Sequence, residues 1–457
     1  MSVQQRVLGF FPDDQPTWGA MLSLGFQQVL TMFPATVLVA VLTKFDVGAT
    51  LLASGLGTII ALLVSGRRIP MYYGSSFSYI TVVITVMSLY DKGCFASSAF
   101  YCPAGVQIVQ LGILGTAVVE ILFGLLIMRV GKTVLDNILP PIITGSMAIV
   151  IGIALAGAAL NSASAGWGLA FVTLLVTVAF SVYLQNRGLL GMLPILLGAV
   201  VGYLVALPLG LVNFAPVMTA EWLRVPAITF PAFADPRAWG AVLSIALIAI
   251  ATIPESTAHL YQMSLYIDQL AKELGKAPLG IKNLIGLNLI ADGSDDLVAG
   301  ALGGCAGTNY GENNSLMAIT RNYSVAVLLV AGMLAMALAF VGKLAALVNT
   351  IPVAVMGGLS VYLFGVIGMQ GIALLQSEKV NLFEPRQLAV GAIILITGIG
   401  GNLGLKDGLF PFPIPVVFPS GIPAIVFAAI CGILLNLLFL SIPPELFGVV
   451  ERENINQ

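Results

Sequence analysis

The chain has 457 residues, 58% of them hydrophobic and only 9% charged, with a formal net charge of −2. Soluble domains carry about 25% charged residues, so this composition excludes an ordinary water-soluble domain, and the lack of a basic excess gives no sign of nucleic acid as a partner. Apolar stretches of about 20 residues recur from end to end, as membrane-spanning helices require.

In chain order, Met1 to Gln15 contains Asp13 and Asp14 and no apolar run, so no cleavable signal is expected. Fourteen spans are then expected. They lie near 18–43, 48–66, 75–90, 104–128, 135–160, 167–185, 189–212, 239–264, 280–302, 311–323, 325–349, 352–375, 387–403 and 422–441. The third and tenth are short and open with polar, glycine-containing stretches. These are Tyr73-Gly74-Ser75-Ser76-Phe77-Ser78-Tyr79 and Gly307-Thr308-Asn309-Tyr310-Gly311-Glu312, with Gly74 and Gly307 separated by 233 positions.

A second echo supports a repeat. Pro140 to Gly145 and Pro352 to Gly357 both read Pro-x4-Gly, a proline suited to a helix's first turn and a small residue for close packing. Fourteen spans divide as seven plus seven, and an odd number per repeat turns the second copy upside down. Interrupted segments at matching places in two such halves point to a transporter's central site. With the N-terminus placed in the cytoplasm, 13 of the 19 Lys and Arg residues fall inside and 6 outside, so both termini are expected to be cytoplasmic. The loops 213–237 and 406–420 resist assignment; the second is rich in proline and phenylalanine.

Cys94 and Cys102 share the connector after the third span. They form a disulfide if it faces an oxidising compartment and remain two thiols otherwise. Cys305 and Cys431 fall within the membrane part and read as small packing residues. No pair has metal-ligand spacing, so neither a metal nor a cofactor is expected.

The chemistry concentrates in two places. The stretch Gly303 to Asn314 holds four glycines, the carboxylate Glu312 and several amides. A carboxylate at bilayer depth costs roughly 2.5–3.5 kcal/mol on insertion scales and is a functional-site hypothesis by default. Irregular backbone at that depth survives only when buried in protein or lining a cavity. In the eighth span, Glu255 and His259, the only histidine, are four residues apart and share one helix face. A structural Glu–His pair locking two helices is the bland alternative; the second acid, Glu312, favours function. Carboxylates accept from N–H groups, and backbone N–H groups at a half-helix N-terminus donate to C=O groups. Phe77 or Tyr310 can stack on a flat ring. A buried Glu255 can carry a proton, and His259 is suited to exchange one near neutral pH. Together they suit proton-coupled uptake of a small planar polar solute.

These residues resemble the nucleobase–ascorbate transporters, and within them the bacterial uracil permeases. The resemblance runs from Gln27-Gln28 to about Gly371. It rests on Gly74-Ser75-Ser76-Phe77, Glu255-x3-His259, Thr308 to Asn313, Met317 to Arg321, Val341 to Ala346 and Ile351-Pro352-x3-Met356-Gly357-Gly358. It implies an all-α polytopic membrane protein of 14 transmembrane segments in two inverted seven-span repeats, with short antiparallel strands in spans 3 and 10. It implies a core domain from 17–131 and 238–350 and a gate domain from 132–237 and 351–443. By position, Glu255 and Glu312 hold the base, Phe77 packs on it, and the Tyr310–Gly311 backbone touches it. His259, with Glu255, serves proton coupling; Asn313, Thr308, Ser76 and Gln28 support the site. A homodimer in the inner (plasma) membrane is implied, and no enzyme activity.

Two positions depart from the family pattern. Ser315 stands where the signature has glycine, and Gln27-Gln28 stands where the first span usually carries Gln-His, leaving His259 alone. Asp292, Asp295 and Asp296 in the ninth span read as a solvated or helix-capping cluster, with coupling or a cation site as the sharper reading. Glu312 with His259 favours uracil over a purine such as xanthine or uric acid. An anion transporter or channel on the same plan is the alternative from another class; two acidic groups would repel its substrate.

Overall fold

The structure, a computed structural model, describes residues 9–96, 100–131, 137–184, 187, 190–191, 193–413 and 421–442. Both chain ends, with Arg6 and Arg452, lie outside the described residues, as do Lys132 and positions 414–420 of the proline-rich loop.

The first half contains α1 (Trp18–Thr43), α2 (Val47–Val64), α3 (Ile80–Tyr90), α4 (Pro103–Val130), α5 (Pro141–Ala154), α6 (Ala156–Ser164), α7 (Trp167–Tyr183) and α8 (Pro194–Ala206). The second half contains α9 (Pro236–Ala246), α10 (Ala249–Glu273), α11 (Ile285–Leu302), α12 (Gly311–Thr320), α13 (Val325–Ala339) and α14 (Gly342–Asn349), then α15 (Val353–Ser377), α16 (Pro385–Leu395) and α17 (Ala424–Ser441). Among the described residues, each expected span contains helix. Among the described residues, seven helical segments are long and apolar enough to cross a membrane. Of the others, α7, α8 and α13 are apolar but shorter, at 17, 13 and 15 residues. Spans 3 and 10 lose residues to extended chain, and α11 carries three aspartates. The eighth span also differs from its expected bounds. It breaks at Leu247–Ile248, and α10 continues to Glu273 through a polar last stretch holding Asp268, Lys272 and Glu273.

The extended chain of spans 3 and 10 meets in the interior. Strand β1 (Tyr73–Ser75) pairs antiparallel with β2 (Gly307–Asn309) in the register Tyr73↔Asn309, Gly74↔Thr308, Ser75↔Gly307. The ladder is extended at both ends by Ser76 N–H donating to the Ala306 carbonyl and Tyr310 N–H donating to the Tyr72 carbonyl, each at 2.9 Å. The Tyr73 carbonyl accepts from the hydroxyls of Ser54 (2.7 Å) and Thr58 (3.0 Å) on α2. The broken backbone therefore leaves few polar groups unmet where water is absent. A second pair, β3 (Leu409–Phe410) with β4 (Ile422–Pro423), brackets the proline-rich loop and was not expected. Cys94 and Cys102 form a disulfide, which settles the choice left open above.

Helices around the strands approach through small residues. The crossing of α2 with α13 centres on Gly55 and Gly332, and that of α4 with α11 on Gly124 and Gly286. A Cβ on Gly55 would lie 2.5 Å from the Gly332 carbonyl oxygen, and one on Gly286 would lie 2.5 Å from that of Gly124. Lipid supplies no hydrophobic drive between helices, so close backbone approach must supply the contact. The paired Pro-x4-Gly motifs serve the same end. Gly145 on α5 meets Leu375 and Gly371 of α15, and Gly357 on α15 meets Ala163 of α6. Gly124→Val should cost about 1–3 kcal/mol by overpacking and lower the thermal midpoint in detergent. Gly168→Val, where a Cβ would meet nothing within 4 Å, is the control. Equal midpoints for both variants would contradict the close α4–α11 crossing.

Candidate functional site

Two helix N-termini point at one cavity. Tyr310 N-caps α12 in extended conformation, so β2 turns directly into helix at Gly311. On the other side the Ser76 hydroxyl accepts from the Ser78 N–H at 3.2 Å and starts the 3₁₀ turn Phe77–Tyr79 that leads into α3. Free N–H groups and the helix dipole make such ends partially positive. Phe77 and Ser78 from one, and Gly311 and Glu312 from the other, line a cavity of about 450 Å³. This lies within the usual range of small-ligand pockets, roughly 300–1,000 Å³.

A third wall comes from α10. Pro254, Glu255, Ala258, His259 and Gln262 recur at helical spacing and present one face to the cavity. The opposite side is built by Thr144, Ala148 and Ile151 of α5 and by Ile367, Gln370 and Ser377 of α15. Phe77 bridges the two sides, its ring edge-on to Phe364 of α15 with centroids 6.2 Å apart.

Glu255 and Glu312 are both half-buried on the cavity wall, close enough for their charges to interact. The Ser78 hydroxyl donates to Glu255 Oε2 at 3.0 Å. Among the described residues no hydrogen bond engages the Glu312 carboxylate, which leaves its oxygens available to a bound solute. His259 is fixed more firmly. Its Nδ1 lies 2.9 Å from both the backbone carbonyl and the side-chain Oδ1 of Asn309. A carbonyl only accepts, so Nδ1 carries a proton and donates it. Nε2 faces Gly311, where a Cβ would lie 2.8 Å from it. The Asn309 amide is held in turn by donating to Ser256 Oγ at 2.8 Å, and Asn288 donates to the same oxygen at 2.7 Å.

The supporting residues sit behind the wall. Asn313 Nδ2 donates to Gln28 Oε1 at 2.7 Å and to its carbonyl at 3.0 Å, tying α12 to α1. Thr308 Oγ1 donates to Asp292 Oδ2 at 3.4 Å, and Ser76 serves as the cap described above. Asn314 Nδ2 donates to the His259 carbonyl at 3.1 Å, linking α12 to α10. Ser315, the departure from the family signature, faces the cavity and donates to the Gly311 carbonyl at 3.0 Å. Tyr310 differs from one expectation. Its ring is buried against Gly74, and its hydroxyl bonds Thr36 Oγ1 and the Ser75 carbonyl, each at 2.9 Å. A flat ring in the cavity can therefore stack on Phe77 but not on Tyr310.

The reading of Asp292, Asp295 and Asp296 as a solvated or helix-capping cluster is overturned. All three are buried, at 0%, 2% and 0% exposure, and face the strands. Four residues were missed. Gln262 was reachable from the helical spacing of Glu255 and His259. Gln370 and Thr144 carried no signal in spans that read as ordinary apolar helix. Glu120, buried in α4, stood alone in sequence because its partner Thr252 lies on α10.

The family model Xan_ur_permease, described as "Permease family", matches residues 19–406. The chain is 35% identical over 452 residues to the uracil permease of Bacillus caldolyticus, covering 96% of each protein. It is 32% identical over 458 residues to that of Bacillus subtilis, covering 97% of this chain and 98% of the relative. Among solved structures, the transmembrane domain of the cyanobacterial bicarbonate transporter BicA shares the fold, with a TM-score of 0.56 at 16% identity over 91% of this chain and 96% of that one. The chain belongs to this permease family, the nucleobase–ascorbate transporters that its motifs resemble, and is a transporter rather than an enzyme.

Proposed function

We propose that the chain imports a nucleobase, uracil before a purine, by proton symport across the inner (plasma) membrane. The observation that carries this reading is the convergence of Glu255, Glu312 and His259 with two helix N-termini on one cavity. Uracil is a flat ring with alternating N–H and C=O groups. Glu255 and Glu312 accept from its N–H groups. Backbone N–H groups at Gly311 and Glu312 donate to a carbonyl. Phe77 covers a ring face. The permeases of the two Bacillus species are named for uracil, which supports the same choice.

The proton is carried by Glu255 and exchanged through His259. With Nδ1–H committed to Asn309, Nε2 is the atom that gains and loses it. In this reading spans 1–4 and 8–11 form the core domain (17–131 and 238–350), and spans 5–7 and 12–14 the gate (132–237 and 351–443). The cavity walls support the division, because Phe77, Glu255, His259 and Glu312 fall in the core while Thr144, Ile151 and Gln370 fall in the gate. Fourteen spans in two inverted sevens fit the antiparallel pairing of β1 with β2. They also fit the glycine crossings, since exchanging the halves turns α2–α13 into α11–α4. The core moves against the gate to alternate access, within a homodimer whose contacts lie mainly in the gate, and both termini are cytoplasmic. A shared fold with a bicarbonate transporter does not make the solute an anion, because Glu255 and Glu312 would repel one.

Glu312→Gln removes a charged acceptor. Hydrogen bonds to charged groups contribute about 1.5–3 kcal/mol, so uracil affinity by calorimetry should fall roughly ten- to hundredfold; unchanged affinity removes Glu312 from the site. His259→Ala should abolish proton-driven accumulation in vesicles while leaving equilibrium binding largely intact. Accumulation with unaltered pH dependence would discharge His259 from coupling. In an uptake competition among uracil, thymine, xanthine, uric acid and ascorbate, uracil should compete best and only under an inward proton gradient. Xanthine in first place would reassign the chain as a purine permease.

A further inference from the structure

Behind the strands, on the side away from the cavity, lies a layer of acid that the substrate does not reach. Glu120 on α4 and Asp292, Asp295 and Asp296 on α11 are 0%, 0%, 2% and 0% exposed. Asp296 is fully engaged: Oδ1 accepts from the Gly307 N–H at 2.6 Å and Oδ2 from the Tyr79 hydroxyl at 3.2 Å. The other three are not. Glu120 Oε1 accepts from Thr252 at 2.7 Å and Asp292 Oδ2 from Thr308 at 3.4 Å, but Glu120 Oε2, Asp292 Oδ1 and Asp295 Oδ1 have no partner. A separate group points the same way. The Tyr73 hydroxyl is wholly buried, also lacks a partner, and lies within the electrostatic reach of Asp292, Asp295 and Glu120.

Among the described residues, nothing cationic faces this layer. The titratable groups around it are Tyr72 and Tyr73 at β1, Tyr79 beyond it, and Glu255 on α10 near Asp292. From α2 comes Gly57, where a Cβ would lie 1.9 Å from Asp295 Oδ1. Among the described residues no Lys, Arg or His pairs with any of the four. Beside the hydrogen-bonded Asp296, three further carboxylates without a cation cannot all remain ionised in a dry interior; such groups take up protons instead. A metal ion is the poorer occupant. Among the described residues, no three of these acids bring oxygens mutually within 4.8 Å.

We propose that Glu120, Asp292 and Asp295 form a second proton-binding site, distinct from Glu255 and His259 and coupled to the substrate through β2. The connection is short. Asp296 grips the first residue of β2 and Asp292 the second, while the third, Asn309, holds His259; the chain then enters α12 with Glu312. On α10, Thr252 holds Glu120 three residues before Glu255. Loss of a proton from this layer repels Asp296 and loosens the strand that positions both substrate-binding half-helices. The inference rests on the proton-symport reading above.

Infrared spectra of purified protein test the site without substrate. Wild type should show protonated-carboxyl absorption that bleaches on raising the pH, with separate components missing from Glu120→Gln and Asp295→Asn. Bands that do not titrate, or that both variants retain, would overturn the site, and each single variant is informative if the other fails to fold. Bands insensitive to pH but altered by sodium would overturn the proton assignment. Coupling is read from protons taken up on uracil binding in weak buffer, which should fall by roughly half in Glu120→Gln/Asp295→Asn, as linkage requires when one of two proton sites is removed. An unchanged count would overturn the coupling. Wild type that fails to bind uracil would overturn the substrate reading and the coupling with it, while the substrate-free spectra would still decide whether the acid layer exchanges protons.

Discussion

Three residues of antiparallel ladder, Tyr73–Ser75 against Gly307–Asn309, carry the rest of this structure. A helix can cross a membrane because it satisfies its own backbone. A broken helix cannot, and each unpaired group in the interior is costly. Here two broken helices satisfy each other, with Ser54 and Thr58 taking up the remaining carbonyl. The ladder makes it possible for two helix N-termini to begin in the interior, facing the same space.

Polar chemistry then sorts onto the two sides of that ladder. On the cavity side stand Glu255, His259 and Glu312, half-buried and open to a solute. On the far side stand Glu120 and the three aspartates, sealed from solvent: Asp296 and Asp292 accept from the strand, Asp296 also from Tyr79, and Glu120 from Thr252 of α10. Asn309 connects the sides, its backbone in β2 and its side chain on His259. The strand is hydrogen-bonded on one side to Asp296 and Asp292 and on the other, through Asn309, to His259 of the cavity wall. The opposite wall, from α5 and α15, adds mainly apolar surface, with Thr144, Gln370 and Ser377 as its polar groups.

Much of this was legible from residue order because polarity inside an apolar chain has few explanations. The glycine-rich stretches marked both breaks, and the spacing of Glu255 and His259 placed them on one face. What escaped depended on contacts between distant segments. Glu120 gains meaning only beside Thr252, 132 positions away. The aspartates read as solvated because nothing local shows that α11 turns them toward the strands. Tyr310 read as a stacking ring because its partners, Thr36 and Ser75, lie more than 230 positions earlier. The extension of α10 to Glu273 was missed because its last turns are polar.

The central claim is that the two acids of the broken-span cavity are the solute's own ligands. A structure of the purified transporter with uracil bound tests it most directly. The account predicts the ring beside Phe77, within hydrogen-bonding distance of both Glu255 and Glu312 and of the backbone at Gly311. Uracil bound elsewhere, or resting in this cavity without touching either carboxylate, would contradict it.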